Sequence, residues 1–321
     1  MHDKSIAGGC DKQECFMSPI LSICIPTYNR SSYLQRTLES ILSQDGADEI
    51  EVVVSDNASN DDTYEVMRRF VDRYPEKVQY NRNSTNIVDG NFEKVLSLGR
   101  GRFLKLHNDT AVLRPGALSK ILDVIKRADK NGLLPFFMNG NGARDFSEGV
   151  ADDLDEFAAI TKYWNTWICA FGVWRKDFEY VRGLMNEKAH TKLSQTWVLF
   201  SLISKGNPVL VNNDALFEIM PVEKKGGYNI AEVFGKNYID ILQCFFTDDH
   251  LSSGVLKIVK RDVLKFVNRF YFDIKGEYGF QKTGYFKWML PWYRHEFYFY
   301  TELIKIHANI LRRNLSKRGA F

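Results

Sequence analysis

Three times in its first 110 residues the chain runs from a short apolar stretch straight into a cluster of polar side chains. Leu21-Ser22-Ile23-Cys24-Ile25 exits into Pro26-Thr27-Tyr28-Asn29-Arg30. Val52-Val53-Val54 exits into Ser55-Asp56-Asn57-Ala58-Ser59, and Phe103-Leu104-Lys105-Leu106 into His107-Asn108-Asp109-Thr110. Short apolar runs bounded by turn residues read as buried strands. When helices alternate with them, the economical arrangement is an open, mostly parallel sheet. The carboxyl ends of its strands converge on one crevice, where ligands bind.

Helical periodicity fills the intervals. Ser32 with Gln35 forms a capping-box pattern, followed by Tyr33, Leu34, Thr37, Leu38, Ile41 and Leu42 at helical spacing. Asp62 with Glu65 opens a second helix carrying Met67, Phe70, Val71 and Tyr74 on one face. Val78 to Tyr80 reads as a third strand, and Phe92, Val95 and Leu96 mark a short helix. Pro115 suits a first helical position, ahead of Leu118, Ile121, Leu122 and Ile125. Farther on, strands are expected at Leu133 to Met138, Trp167 to Trp174 and Pro208 to Val211, with a helix at Leu193 to Ile203. The Gly- and Asp-rich stretch from Asn139 to Asp155 reads as a loop over the crevice. After a break at Lys224-Lys225-Gly226-Gly227 the chain looks mostly helical. Three segments follow: a leader (1–18), an α/β domain (19–222) and a basic, aromatic-rich helical region (223–321).

The composition, 45% apolar and 26% charged over 321 residues, is that of a globular protein. Five scattered cysteines make no disulfide framework, which points to a reducing cytoplasm, and Cys10 with Cys15 lacks the second pair a zinc site needs. Residues 1–18 have no apolar core and read as a flexible leader rather than a signal peptide. No run approaches 18 uncharged apolar residues, so no transmembrane helix is expected. The net charge of +3 conceals an asymmetry: residues 251–321 hold fourteen Lys or Arg, five Asp or Glu and sixteen aromatics. A basic face with Trp and Tyr suits anionic lipid headgroups. A buried helical cap with solvated charges accounts for it equally well. No nucleic-acid motif is present.

The strand ends carry the chemistry. Pro26 to Arg30 offers a ring, hydroxyl and amide groups and a cation, a set that suits a base, a ribose and a phosphate; helix capping by Asn29 and Ser31 explains part of it as well. Asp56 leaves the second strand directly, where an acid can accept hydrogen bonds from a nucleoside. Asp109 ends the third, where a carboxylate can hold Mg2+ or Mn2+ against a diphosphate. Ordinary polar turns compete with both readings, and His107 reads as a packed loop residue rather than a ligand.

Taken together, Ser22 to Arg30, Val54 to Thr63, Asn86 to Asn91 and Asn108 to Thr110 resemble family 2 glycosyltransferases of the bacterial O-antigen and capsule branch, abequosyltransferase-like enzymes included. The resemblance covers residues 20 to 125 or so and fades through about 215. It implies the GT-A fold, a Rossmann-like, mostly parallel sheet flanked by helices, here with a C-terminal helical extension. It implies nucleotide binding by Pro26, Thr27, Tyr28, Arg30 and Asp56, with Asn86, Gly90 and Asn91 approaching the donor. The family's Asp-rich metal motif falls on Asn108-Asp109-Thr110, which leaves Asp109 as the metal ligand and Asn108 and Thr110 as neutral oxygen donors. Relatives have two or three carboxylates there. Fewer charges weaken metal affinity, and transfer without metal, with Arg30 stabilising the diphosphate, stays open.

The resemblance further implies an inverting displacement from a nucleotide sugar onto a hydroxyl of a glycan or lipid-linked glycan. The enzyme would sit in the cytoplasm or peripherally at the inner face of the plasma membrane. A general base must take the hydroxyl proton. Asp145, in the loop from Gly140 to Gly149, is the first choice, ahead of Asp153, Asp177, Glu187 and His190. Trp164, Trp167 and Trp174 suit either sugar stacking or core packing. Two competitors differ in class. One is a non-catalytic sugar-nucleotide-binding or scaffolding protein. The other is a sugar-phosphate nucleotidyltransferase, which the absence of glycine from Pro26 to Arg30 disfavours.

Overall fold

The computed structural model describes residues 18–141, 146–222, 227–273 and 279–318. The elements are β1 (Leu21–Thr27), α1 (Ser31–Leu42), β2 (Ile50–Asp56), α2 (Thr63–Arg73), β3 (Val78–Arg82), α3 (Gly90–Leu98), β4 (Phe103–Leu106), β5 (Ala111–Leu113) and α4 (Ala117–Asn131). Then come β6 (Leu134–Phe137), β7 (Glu148–Ala151), α5 (Leu154–Thr161), β8 (Gly172–Trp174), α6 (Arg175–Val181), α7 (Leu184–Glu187), α8 (Ser194–Ile203), β9 (Val209–Asn212) and β10 (Phe217–Ile219). In the C-terminal region α9 (Ile230–Glu232) passes through a π-helical stretch, Val233–Tyr238, into α10 (Ile239–Thr247). It ends with α11 (Ser253–Asn268), α12 (Tyr285–Tyr293) and α13 (Phe297–Arg318).

The main sheet has the order β3-β2-β1-β4-β8, parallel except for β8. Its inner strands are buried on both faces, as a parallel sheet covered by helices requires. From β1 the chain moves outward to β2 and β3, then returns to place β4 on the other side. The crevice beyond β1 and β4 is therefore the switch point of the topology. A second sheet, β6-β9-β7, and the antiparallel pair of β5 and β10 extend the platform. One buried carboxylate ties its parts together: Glu51 of β2 accepts from the Ser22 hydroxyl of β1 at 2.6 Å and from the Gly101 amide at 3.2 Å, and it pairs with Arg100.

Several sequence expectations are corrected. The Ser32–Gln35 box does not form. Asp61, in the loop after β2, takes the Ser31 amide at 2.9 Å with one oxygen and the Thr63 amide at 3.1 Å with the other. One carboxylate thus serves the N-termini of both α1 and α2. Pro115 precedes α4 rather than opening it, because Gly116 turns the chain there with φ near 74°. Trp167 to Trp174 begins with a 3-10 turn at Ile168–Ala170, with only Gly172–Trp174 in the sheet, and the expected loop from Asn139 to Asp155 contains β7. Cys10, Cys15, Asp145 and the Lys224–Gly226 part of the expected break lie outside the described residues.

The C-terminal helices share the core of the sheet domain. α11 buries Leu256, Val259, Val263, Leu264 and Val267, and it packs on α5 and the turn after it. Tyr238 donates to the Lys162 carbonyl at 2.7 Å and accepts from Asn165 at 2.9 Å. Among the described residues no helix is long and apolar enough to cross a membrane.

Candidate functional site

A cleft of about 670 Å³ opens at the switch point. Its polar wall is built by the loops leaving β1 and β4, which bring Pro26, Thr27, Tyr28, Arg30, Asn108 and Asp109 together. Asn57 and the turn from Val88 to Phe92 line it too. Aromatic side chains line it as well: Tyr163, Trp164 and Trp167 come from the turns after α5, and Tyr228, Phe266 and Phe280 from the C-terminal region. A separate hollow between Arg182 and Phe245 touches none of the strand-end loops.

Asp109 is the hinge of the polar wall. It is buried, yet one carboxylate oxygen accepts from the Thr27 hydroxyl and the other from the Arg30 guanidinium, both at 2.9 Å. The Thr37 hydroxyl of α1 holds its backbone carbonyl at 2.9 Å. Burial raises its pKa above the usual carboxylate range, and Arg30 and Thr27 oppose the rise. Arg30, a third exposed, is the cation this wall presents to the cleft. Behind it, His107 lies 2.7 Å from the Ala111 carbonyl, and burial with nearby Lys105 pushes its pKa down to about 3. It is a neutral packed residue, as expected. Lys105 is buried against the Cys169 carbonyl and over the Phe217 ring at 4.7 Å, and burial lowers its pKa to about 8.

The donor set does not fit a divalent ion in this arrangement. Among the described residues no three His, Cys, Asp or Glu gather at one point. The one carboxylate assigned to metal already binds a hydroxyl and a guanidinium. A cation there would have to displace Arg30.

The structure gathers most of the expected nucleotide residues but not all of them. Asp56 has no exposed surface: it accepts from the Ser59 amide and the Tyr80 hydroxyl, each at 2.8 Å, and so shapes the β2 loop from behind. Its neighbour Asn57 lines the cleft instead. Asn86 and Gly90 stay outside the lining; Asn86 accepts the Val88 amide at 2.8 Å and Gly90 opens α3. Asn91 reaches the cleft edge, locked to Ser55 through its amide (2.8 Å) and its carbonyl (2.6 Å). Of the expected bases, Asp153 caps α5, and Asp177, Glu187 and His190 do not line the cleft. Trp164 and Trp167 face it, whereas Trp174 packs in the core and donates to the Leu133 carbonyl at 2.9 Å. Asp89, Lys192 and Gln195 line the cleft without having been singled out from sequence. Only Asp89 had a signal, its place inside the Asn86 to Asn91 segment.

The sequence profile described as Glycosyl transferase family 2 matches residues 22–176, the span that carries β1 to β8 and most of the cleft. Over that span the chain is similar to glycosyl transferase family 2. Two relatives agree with this match. Abequosyltransferase RfbV of Salmonella typhimurium is 37% identical over 102 residues, covering 31% of this chain and 31% of its own. The GalNAc(5)-diNAcBac-PP-undecaprenol beta-1,3-glucosyltransferase of Campylobacter jejuni is 34% identical over 142 residues, covering 43% of this chain and 45% of its own. The chain thus spans less than half the length of either. Mannosyltransferase PcManGT from Pyrobaculum calidifontis, solved with GDP-Man and Mn2+, superposes with a TM-score of 0.53 over 79% of this chain and 70% of that one, at 14% identity. The fold is therefore of the GT-A type, extended here by the C-terminal helices.

Proposed function

We propose that the protein transfers a sugar from a nucleoside diphosphate donor to a hydroxyl of a glycan acceptor, with inversion, in bacterial surface-polysaccharide synthesis. One observation carries the reading. Tyr28, Arg30 and Asp109, far apart in the chain, meet at the switch-point cleft of a domain similar to family 2. Tyr28, half exposed, suits stacking on the base. Arg30 supplies positive charge to the diphosphate, and Asp109 and Thr27 hold it in place. The face of the sugar suits Trp164 and Trp167, which also line the cleft.

The acceptor is best read as lipid-linked, since the Campylobacter relative is named for an undecaprenol-linked substrate. Peripheral contact with an anionic membrane at the cytoplasmic face accords with the basic C-terminal region. The thin metal motif favours one competing reading, a binder of sugar nucleotides without turnover. A thermal-shift panel of UDP, GDP, CDP and dTDP, with and without Mn2+, separates these possibilities when paired with release of diphosphate from the matching sugar donors. A ligand of the native state raises Tm. The transferase reading expects one nucleotide to stabilise the protein without Mn2+ and its donor to turn over. Stabilisation with no turnover on any donor favours the binder, and no stabilisation by any nucleotide sinks both.

A further inference from the structure

We propose that Asp89 is the general base, an assignment that rests on the transferase reading above. A base for sugar transfer must be a proton acceptor in the cleft with a lone pair to spare. Among the described residues that line the cleft, two carry carboxylates, Asp89 and Asp109. Asp109 is committed on both oxygens, to Thr27 and Arg30. His107 lies behind the wall with its Nε2 on the Ala111 carbonyl. Gln195 reaches the cleft with an unpartnered carbonyl oxygen, but an amide accepts a hydrogen bond and not a proton.

Asp89 differs from all of these. It occupies the N-cap position of α3, where an Asp ordinarily takes the orphan amides of the first turn, yet its side chain makes no cap hydrogen bond. Its Oδ2 is buried and accepts no hydrogen bond. Lys192 Nζ forms an ion pair with that oxygen at 3.2 Å, so Asp89 is engaged by charge on one oxygen where Asp109 has both engaged. An acidic side chain that gives up its local partners at this position is held for another use.

The backbone before it is strained. Val88 has φ of 51°, a left-handed conformation that a β-branched residue rarely adopts. Asn57 clamps the turn: its Oδ1 accepts the Ile87 amide at 2.8 Å and its Nδ2 donates to the Val88 carbonyl at 3.2 Å. Asn86 takes the Val88 amide at 2.8 Å. Strain that the surroundings over-determine is characteristic of functional sites. Here it fixes the residue that follows.

The step balances simply. The acceptor O–H bond breaks and its proton passes to the Asp89 carboxylate. The freed electron pair forms the bond to the anomeric carbon. The bond from that carbon to the phosphate oxygen breaks, and its electrons leave with the nucleoside diphosphate.

The test uses the full chain and needs no known acceptor, because water replaces the acceptor hydroxyl in slow donor hydrolysis. UDP-glucose, GDP-mannose, CDP-glucose and dTDP-glucose are assayed for diphosphate release, and Kd is measured for the donor that turns over. Asp89→Asn is expected to keep its Tm and donor Kd within about twofold, to slow release about 100-fold or more, and to lose the acidic limb of the pH profile. Formate is expected to restore part of the rate in Asp89→Ala. An Asp89→Asn rate near wild type overturns the assignment, as does a loss of affinity that accounts for the whole loss of rate. So does Asp145→Asn abolishing release while Asp89→Asn does not. A wild-type protein that binds none of the four donors instead removes the transferase reading, and the assignment with it.

Discussion

Asp109 joins three parts of the molecule through three contacts: Thr27 at the end of β1, Arg30 ahead of α1, and Thr37 within α1. Removing its carboxylate leaves a buried hydroxyl without its acceptor and a guanidinium without its anchor. Asp109→Ala is therefore expected to keep the fold and to lower turnover by about 100-fold, the scale of losing one pre-aligned stabilising group. Initial rates on the matched donor check this, and a wild-type rate would remove Asp109 from the site. His107 makes a second residue-level prediction. In the unfolded chain it titrates near its ordinary 6.5, whereas in the folded protein burial and Lys105 depress it to about 3. Between those values the unfolded state binds more protons, so stability must fall as pH drops from about 6.5 toward 3. His107→Gln is expected to flatten that slope in urea titrations repeated across the range. The strand-end loops were legible because Tyr28, Arg30 and Asp109 directly follow apolar runs. Asp56 follows one too, and sequence cannot show that Ser59 and Tyr80 turn its carboxylate inward. Asp89 was hidden for the opposite reason. It looks like an ordinary helix cap, and only coordinates show that it caps nothing.

At the scale of elements, β1, β2, α1 and α2 fall within a residue or two of their expected places, because period and composition agree in that half. Failures begin where long-range pairing decides. The stretch from Trp167 to Trp174 is apolar enough for a strand, yet a 3-10 turn at Lys162–Thr166 and another at Ile168–Ala170 flank Trp167, and the chain joins β4 only at Gly172. Gly172 permits that close approach, since a Cβ there would stand 2.3 Å from the Phe103 ring. The helix caps failed for a related reason. The residue that satisfies Ser31 is thirty positions away, in the loop after β2. Burial alone would raise the Asp61 pKa, but hydrogen bonds from Thr63 and Ser31 outweigh it and lower the value. Asp61→Ala deprives two helix N-termini at once and is expected to cost about 1–2 kcal/mol for each. The wild type should lose this advantage in acid as the carboxylate protonates. Thermal melts of the pair at neutral pH and near pH 3 would show the difference shrinking, and a pH-independent difference would refute the double-cap account.

On the scale of the whole molecule, the change of composition near residue 222 is not a boundary of packing. Trp197 and Phe200 of α8 meet Phe245 of α10, with centroids 5.7 and 5.5 Å apart, and Tyr238 reaches Lys162. The cleft itself takes Tyr228, Phe266 and Phe280 from beyond that point. A chain ending at residue 222 is accordingly expected to aggregate, while the full chain melts in one transition that coincides by circular dichroism and Trp fluorescence. What the core leaves outside is as informative as what it takes. Along α13 the exposed Phe297, Tyr300, Ile304 and Leu311 recur at spacings of three, four and seven, which puts them on one face. Lys257, Arg261, Lys265, Lys287 and Arg312 are exposed in the same region. An apolar stripe beside basic side chains matches an anionic lipid surface, where each Lys or Arg near the surface contributes about 1 kcal/mol. The full chain is expected to sediment with vesicles of mixed phosphatidylglycerol and phosphatidylcholine, but not with phosphatidylcholine alone, and to be released by high salt. Ile304→Glu with Leu311→Glu alters only exposed positions, so Tm should hold while sedimentation is lost. Equal sedimentation of that double variant would assign the attraction to charge without the stripe. Failure of the wild type to sediment with either vesicle would remove this helix from any contact with a membrane.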